Sequence, residues 1–129
     1  MNTPSFALGS CLCGKVTYEV RSRIKATTHC HCRMCQKAHG AAFATYGSVP
    51  LGDFWIGNGS ELMATYESSP GVIRRFCTNC GSTLTWQKTQ GTHADWISIA
   101  LGTLDTPFQP EKIREVNKES APAWCQLLA

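Results

Sequence analysis

The stretch CTNCGSTLTW, Cys77 to Trp86, sets two cysteines three positions apart, closes them with a glycine and runs straight into alternating residues. Its counterpart is CLCGKVTYEV, Cys11 to Val20, where the pair is tighter but the glycine and the alternation recur. A CxxC turn offers two sulfurs to one ion, and zinc takes thiolates at about 2.3 Å in a tetrahedron. The CxC pair needs more bending. Residues i and i+2 of an extended strand stand about 6.6 Å apart on one face, whereas two sulfurs on one zinc are only about 3.8 Å apart at that bond length. The backbone must therefore turn at the ion, and Gly14 and Gly81 supply the freedom to do so. Facing each other as zinc-ribbon-like halves, the knuckles make one four-sulfur shell from Cys11, Cys13, Cys77 and Cys80. A complete shell leaves no position for a substrate. Its expected role is structural, joining strands more than sixty residues apart in the chain.

Around these knuckles the pattern is that of strands. In KVTYEV, Val16, Tyr18 and Val20 share one face while Lys15, Thr17 and Glu19 share the other. IKATTHCHC is a further extended stretch, RMCQKAHG a short helical turn ended by Gly40, and AAFATYGSV a strand leaving it. Asn58-Gly59 between apolar runs signals a hairpin. SSPGVIRRF leads as turn and strand into the second knuckle, DWISIALGTL is another apolar strand, and the tail from Thr106 is Pro-punctuated and mostly irregular. Arg74 and Arg75 read as a solvated strand edge, and Phe43, Tyr46, Trp55 and Trp86 as core aromatics. The expectation is a single, mainly β domain over residues 1–129, zinc-stapled hairpins with one short helical turn.

Between the knuckles lies HCHCRMC, His29 to Cys35. Once four cysteines are assigned to the closed shell, Cys30, Cys32 and Cys35 remain with three sulfurs and no fourth cysteine nearby. Three protein ligands and one open position make a catalytic zinc, but a histidine or Cys125 closing the shell would make a second inert one. Spacing leaves both readings open. His29 and His31 alternate away from the cysteines on a strand, which makes His39, just past the helical turn, the stronger competitor. A Cys32–Cys35 redox dithiol also fits the CxxC spacing but leaves Cys30 unexplained. Cys125 lies outside the metal pattern and reads as a small buried or incidental cysteine.

The totals narrow the function further. Among 129 residues, 43% are hydrophobic and 16% charged, and no run reaches the roughly 18 apolar residues of a membrane span. The first residues carry neither a basic leader nor a long apolar segment, so the expected compartment is the reducing cytoplasm, where eight clustered cysteines are hard to read as four disulfides. The formal charge of +3 tempts one towards nucleic acid, but seven thiolates and two zinc ions bring it to zero. The expected partners accordingly include no nucleic acid and no membrane. Association with a second copy of the chain is left open.

GSCLCGKVTYEV, HCHCRMCQKAHGAAFATYGSVP and SSPGVIRRFCTNCGSTLTW, in that order, resemble the glutathione-dependent formaldehyde-activating enzymes, also called the centromere-protein-V-type domain, over roughly residues 8–104. The resemblance implies an Mss4-like fold, a structural zinc on Cys11, Cys13, Cys77 and Cys80, and a second zinc, its occupancy left open, on Cys30, Cys32 and Cys35. It also implies a carbon–sulfur lyase whose partners are a small thiol such as glutathione and an aldehyde, formaldehyde in the name-giving reaction. A substrate thiol is then expected at the open position, where a coordinated thiol loses its proton. Lys37, Arg33 and His39 lie close enough in sequence to pair with substrate carboxylates or move a proton. The competing class is a non-catalytic interaction module with both zincs structural, a role that usually leans on basic arms absent here. The tail departs from the family pattern, with Lys112 where relatives carry a histidine before isoleucine and Ala123 between Pro122 and Trp124.

Overall fold

The computed structural model describes residues 6–125. Ten strands and one helix follow in the order β1 (Ala7–Ser10), β2 (Thr17–Val20), β3 (Lys25–Cys30), α1 (Arg33–His39), β4 (Ala44–Pro50), β5 (Phe54–Asn58), β6 (Met63–Ser69), β7 (Val72–Cys77), β8 (Thr83–Lys88), β9 (Trp96–Ala100) and β10 (Arg114–Val116). They form a three-stranded sheet, β1-β2-β5, and a seven-stranded sheet, β10-β3-β4-β9-β8-β7-β6. The fold is mainly β, as the alternation predicts.

The two sheets share one core. Val16, Tyr18 and Val20 from the small sheet are buried with Val49, Leu84, Ile97 and Ile99 from the large one, each full-sized aliphatic contributing on the order of 1.5–3 kcal/mol by leaving water. Alternation puts Val16, just before β2, on one face with Tyr18 and Val20, and that face is the buried one. A smaller cluster of Cys35, Ala44 and Tyr46, with Cys30, Cys32 and Trp86 against it, surrounds the central cysteines. Trp86 belongs to this core, whereas Trp55 is 48% exposed with the Arg21 guanidinium 4.2 Å from its ring centroid, so the core reading of Trp55 does not hold.

Asn58-Gly59 is not a hairpin. β5 pairs with β2, while β6 pairs with β7 at the edge of the other sheet, so the turn carries the chain between sheets. Gly59 has φ +83°, and a Cβ there would collide with the Lys15 carbonyl oxygen. The glycine permits a close backbone approach, a second reason for glycine at such a position that a hairpin signal does not distinguish.

The tail is also more ordered than its prolines suggest. β10 adds to the large sheet as a parallel partner of β3, with Glu115 opposite His29 and Val116 opposite Cys30. Among the described residues no helix is long and apolar enough to cross a membrane.

Candidate metal centres

The β1–β2 and β7–β8 turns carry the two knuckles. Cys11 N–H donates to the Val16 carbonyl at 3.0 Å and Val16 N–H to Cys11 Sγ at 3.3 Å, which folds the first turn around its sulfur. In the second, Gly81 N–H donates to the Cys77 carbonyl at 2.7 Å and Cys77 N–H to the Ser82 carbonyl at 3.0 Å. Ser82 ties the halves together: its Oγ accepts from Leu12 N–H at 2.8 Å and lies 3.2 Å from Cys80 Sγ. The sulfurs of Cys11, Cys13, Cys77 and Cys80 all lie within 4.8 Å of one another, with Cys11–Cys13 at 3.5 Å and Cys13–Cys77 at 3.9 Å. Those separations match the edge of about 3.8 Å expected for a tetrahedral zinc thiolate set.

Two members of the group are biased towards thiolate and one against. Hydrogen bonds from the Ser82 hydroxyl and backbone hold the Cys80 thiol down at about 5, and the Asn79 side chain lowers that of Cys13. Burial pushes Cys77 the other way. A cation at the centre would hold all four in the ionised form.

The second group is built by a change of backbone direction. Cys30 ends β3, Cys32 is the N-cap of α1 with its Sγ accepting from Cys35 N–H at 3.3 Å, and Cys35 follows within the first turn. Gly40 stops the helix in the left-handed conformation, as its sequence position predicts. The three sulfurs lie within 4.8 Å of one another, and no further Cys, His, Asp or Glu among the described residues joins that group. Three soft, clustered donors fit a thiophilic divalent ion.

Two distant residues complete its surroundings. Asn117, just past β10, donates from Nδ2 to Cys30 Sγ at 3.4 Å, and Arg74 on β7 donates from Nη2 to Cys35 Sγ at 3.8 Å. Burial pushes the Cys30 thiol up, but hydrogen bonds from the Cys32 backbone and the Asn117 amide bring it below its ordinary value. For Cys35 burial prevails and the thiol is pushed up to about 12.

Arg74 overturns its sequence reading. It is only 7% exposed, and among the described residues it pairs with no carboxylate. Its Nε donates to Ser68 Oγ at 3.0 Å and its Nη1 to the Tyr46 hydroxyl at 3.1 Å. A buried guanidinium needs a counter-charge, and the cysteine cluster it faces would supply one on holding a metal ion as three thiolates. Arg75, half-buried, stands on the opposite side of the strand.

The histidines around the cluster are engaged elsewhere. His31, fully buried, donates from Nε2 to Glu115 at 2.7 Å, and His29 donates from Nδ1 to the same carboxylate at 3.0 Å, with both rings against Phe43. A carboxylate accepts only, so each of those nitrogens carries its proton. The His31 hydrogen bond holds the Glu115 carboxyl below the usual range, despite an opposing desolvation effect. Lys37 is exposed on α1, and Cys125 is half-buried outside both cysteine groups.

His39 Nε2 lies 2.7 Å from the Tyr46 hydroxyl. Because Tyr46 accepts from Arg74, its own proton is free to go to His39, whose Nε2 is then an acceptor on a neutral ring. Burial, aided by the Arg74 charge, depresses the His39 pKa to about 4. In an NMR titration its ring signals are therefore expected to stay constant through neutrality and move only as the pH approaches 4. The unfolded chain takes this proton near 6.5, so the contribution of neutral His39 to stability is complete above that pH and is lost on acidification towards 4. A His39 titration centred near neutrality would overturn the assignment.

A cleft of about 450 Å³ opens beside this network, bounded by His39, Phe43, Thr45, Ser82, Thr83 and Thr103. It lies between the helix that follows the central cysteines and the turn of the second knuckle. Neither Ser82 nor Thr83 carries a sequence pattern that separates a cleft wall from an ordinary turn.

The family model for glutathione-dependent formaldehyde-activating enzyme matches residues 6–126. A Schizosaccharomyces pombe protein named as an uncharacterized lyase is 27% identical over 93 residues, which cover 72% of this chain and 66% of that protein, just under two thirds of its length. A crystal structure of a Rhodobacter sphaeroides protein superposes with a TM-score of 0.67 at 20% identity, covering 84% of this chain and 99% of the other, a likeness of fold.

Proposed function

Because the chain belongs to the glutathione-dependent formaldehyde-activating enzyme family, we propose that it is a zinc-dependent carbon–sulfur lyase acting on the adduct of a small thiol and an aldehyde, with glutathione and formaldehyde as the reference pair. The catalytic centre is Cys30, Cys32 and Cys35, and the four-cysteine group is structural. One observation carries this reading: the central group brings three sulfurs together and, among the described residues, no fourth protein donor joins them. When bound there, zinc supplies a position at which a substrate thiol is held as thiolate.

The chain's own residues do the rest. In the adding direction the thiolate sulfur forms a bond to the carbonyl carbon, the carbonyl π pair moves to oxygen, and that oxygen takes a proton. In the reverse direction the hydroxyl gives up its proton as the carbon–sulfur bond breaks and the electron pair returns to sulfur. His39 faces the cleft and, with the Tyr46 hydroxyl, forms a hydrogen-bonded pair able to hold or hand over that proton. Arg74 keeps the cysteine cluster charge-compensated. Lys37, exposed on the helix but outside the residues that bound the cleft, is the proposed contact for a distal carboxylate of the substrate.

Replacing zinc with cobalt gives this reading an optical test. Titration with glutathione is expected to change the cobalt–thiolate absorption of one site and leave the four-sulfur site unchanged. Two unresponsive spectra at saturating glutathione would indicate two closed shells and the interaction-module role instead.

A further inference from the structure

A second cleft lies where the start of β3 meets the tail segment leading into β10. It encloses about 580 Å³, within the range of small-molecule sites. Strand β3 and residues 107–114 form its walls, and neither a cysteine nor a histidine lines it. Alternation along β10 places Arg114 on the face opposite Glu115, so this cleft is separate from the histidine–carboxylate cluster beside the central cysteines.

Its chemistry is lopsided. Arg23, Lys25, Lys112 and Arg114 line it against one acid, Glu111. Arg23 lies 3.6 Å from Glu111, and Lys25 Nζ is 5.9 Å from the Trp96 ring centroid. Lys112 and Arg114 have no ion-pair partner among the described residues. In a chain whose formal charge is cancelled by its thiolates and metals, this is a local concentration of cations rather than a share of a general excess. Between the cations the lining is apolar, with Ile24, Phe6 and Phe108. Ala26, in the same wall, sits at φ +51°, an unusual conformation for a residue with a Cβ. It falls where the β3–β4 register shifts, and the bulge re-aims that part of the strand.

We propose that this cleft binds an amphipathic organic anion, a carboxylate or phosphate head held by Lys112 and Arg114 with an aliphatic or aromatic body on Ile24, Phe6 and Phe108. The site is independent of the lyase reading. It would hold even if the central cysteines took no substrate.

Decanoate and octyl phosphate, both kept below their micelle-forming concentrations, are the probes, titrated into the metal-loaded full chain by calorimetry and amide NMR. Saturable binding is expected, with shifts confined to Phe6, Arg23–Thr27 and Phe108–Arg114. The stronger of the two probes identifies the head group. The double substitution Lys112→Glu and Arg114→Glu is expected to weaken binding by about tenfold or more, the scale of losing charge-assisted contacts. Lys88→Glu, away from the cleft, is expected to leave binding unchanged. Circular dichroism and metal content verify that each variant folds. Should the double substitution misfold, Arg114→Gln alone, with the salt dependence of probe binding, makes the same test. Scattered shifts, equal losses in Lys88→Glu, or binding only to phosphatidylglycerol vesicles and to neither monomeric probe would overturn the proposal.

Discussion

Cys77→Ser is expected to leave the chain unfolded at room temperature, with the β-sheet signal lost from far-ultraviolet circular dichroism and no cooperative melt. Cys77 is fully buried, and its sulfur stands 3.9 Å from that of Cys13 across the two knuckles. With the four-sulfur group intact, a bound zinc would stabilise the fold by about 10–16 kcal/mol, going by zinc-finger peptides, against a total stability of about 5–15 kcal/mol for an ordinary domain. Serine is a poor zinc ligand and would leave a buried hydroxyl beside three thiolates. The core of Val16, Leu84, Ile97 and Ile99 lies beside this site but is shared by two sheets that the knuckles hold in register. Prolonged treatment with a strong chelator should reproduce the unfolding in the unmodified chain. A Cys77→Ser protein that melts cooperatively near the unmodified temperature would show that packing, not metal, dominates.

The second large effect is expected from Arg74→Leu, and it should be selective. Removing one member of a buried charge pair costs about 3–5 kcal/mol when the other is left uncompensated, and changing a group that contacts a ligand typically lowers metal affinity about 10–100-fold. The loss should fall on the Cys30/Cys32/Cys35 site, because Arg74 reaches Cys35 and no sulfur of the other group. Competition with a chromophoric chelator is then expected to release one zinc per chain far more easily, while the second resists as before. Arg74→Lys, which keeps the charge but cannot span Ser68, Tyr46 and Cys35 together, should lie between. Equal release from all three proteins would refute Arg74 as the counter-charge of the cluster.

What the sequence made legible was local, and what it concealed was long-range. Two and three cysteines at fixed spacing declare a metal group within a few residues, and the alternation of Val16, Tyr18 and Val20 declares a buried face. In the folded chain the cysteines of each group do come together, and that face is the buried one. Arg74 was misread because a pair of arginines in a strand normally faces water. Its burial makes sense only beside partners far off in the chain, Tyr46 and a cysteine cluster some forty residues earlier that could hold a metal. Glu115 and Asn117 gave no signal for the same reason. A three-residue parallel strand in a proline-marked tail carries no periodicity of its own, and its partners at His29, His31 and Cys30 are more than eighty residues away. Asn58-Gly59 misled in the opposite sense: the glycine was needed, but by a neighbouring backbone rather than by a tight reversal.

The parallel pairing of β10 with β3 also has a consequence for how the protein is made. A ribosome releases Cys30, Cys32 and Cys35 together, so that trio can capture an ion while most of the polypeptide is still unsynthesised. An ion bound by the four-cysteine group would have to wait for Cys80, and the amide that reaches Cys30 arrives only with Asn117. A chain stalled between those points would own all seven clustered cysteines while the central group still lacked its Asn117 contact.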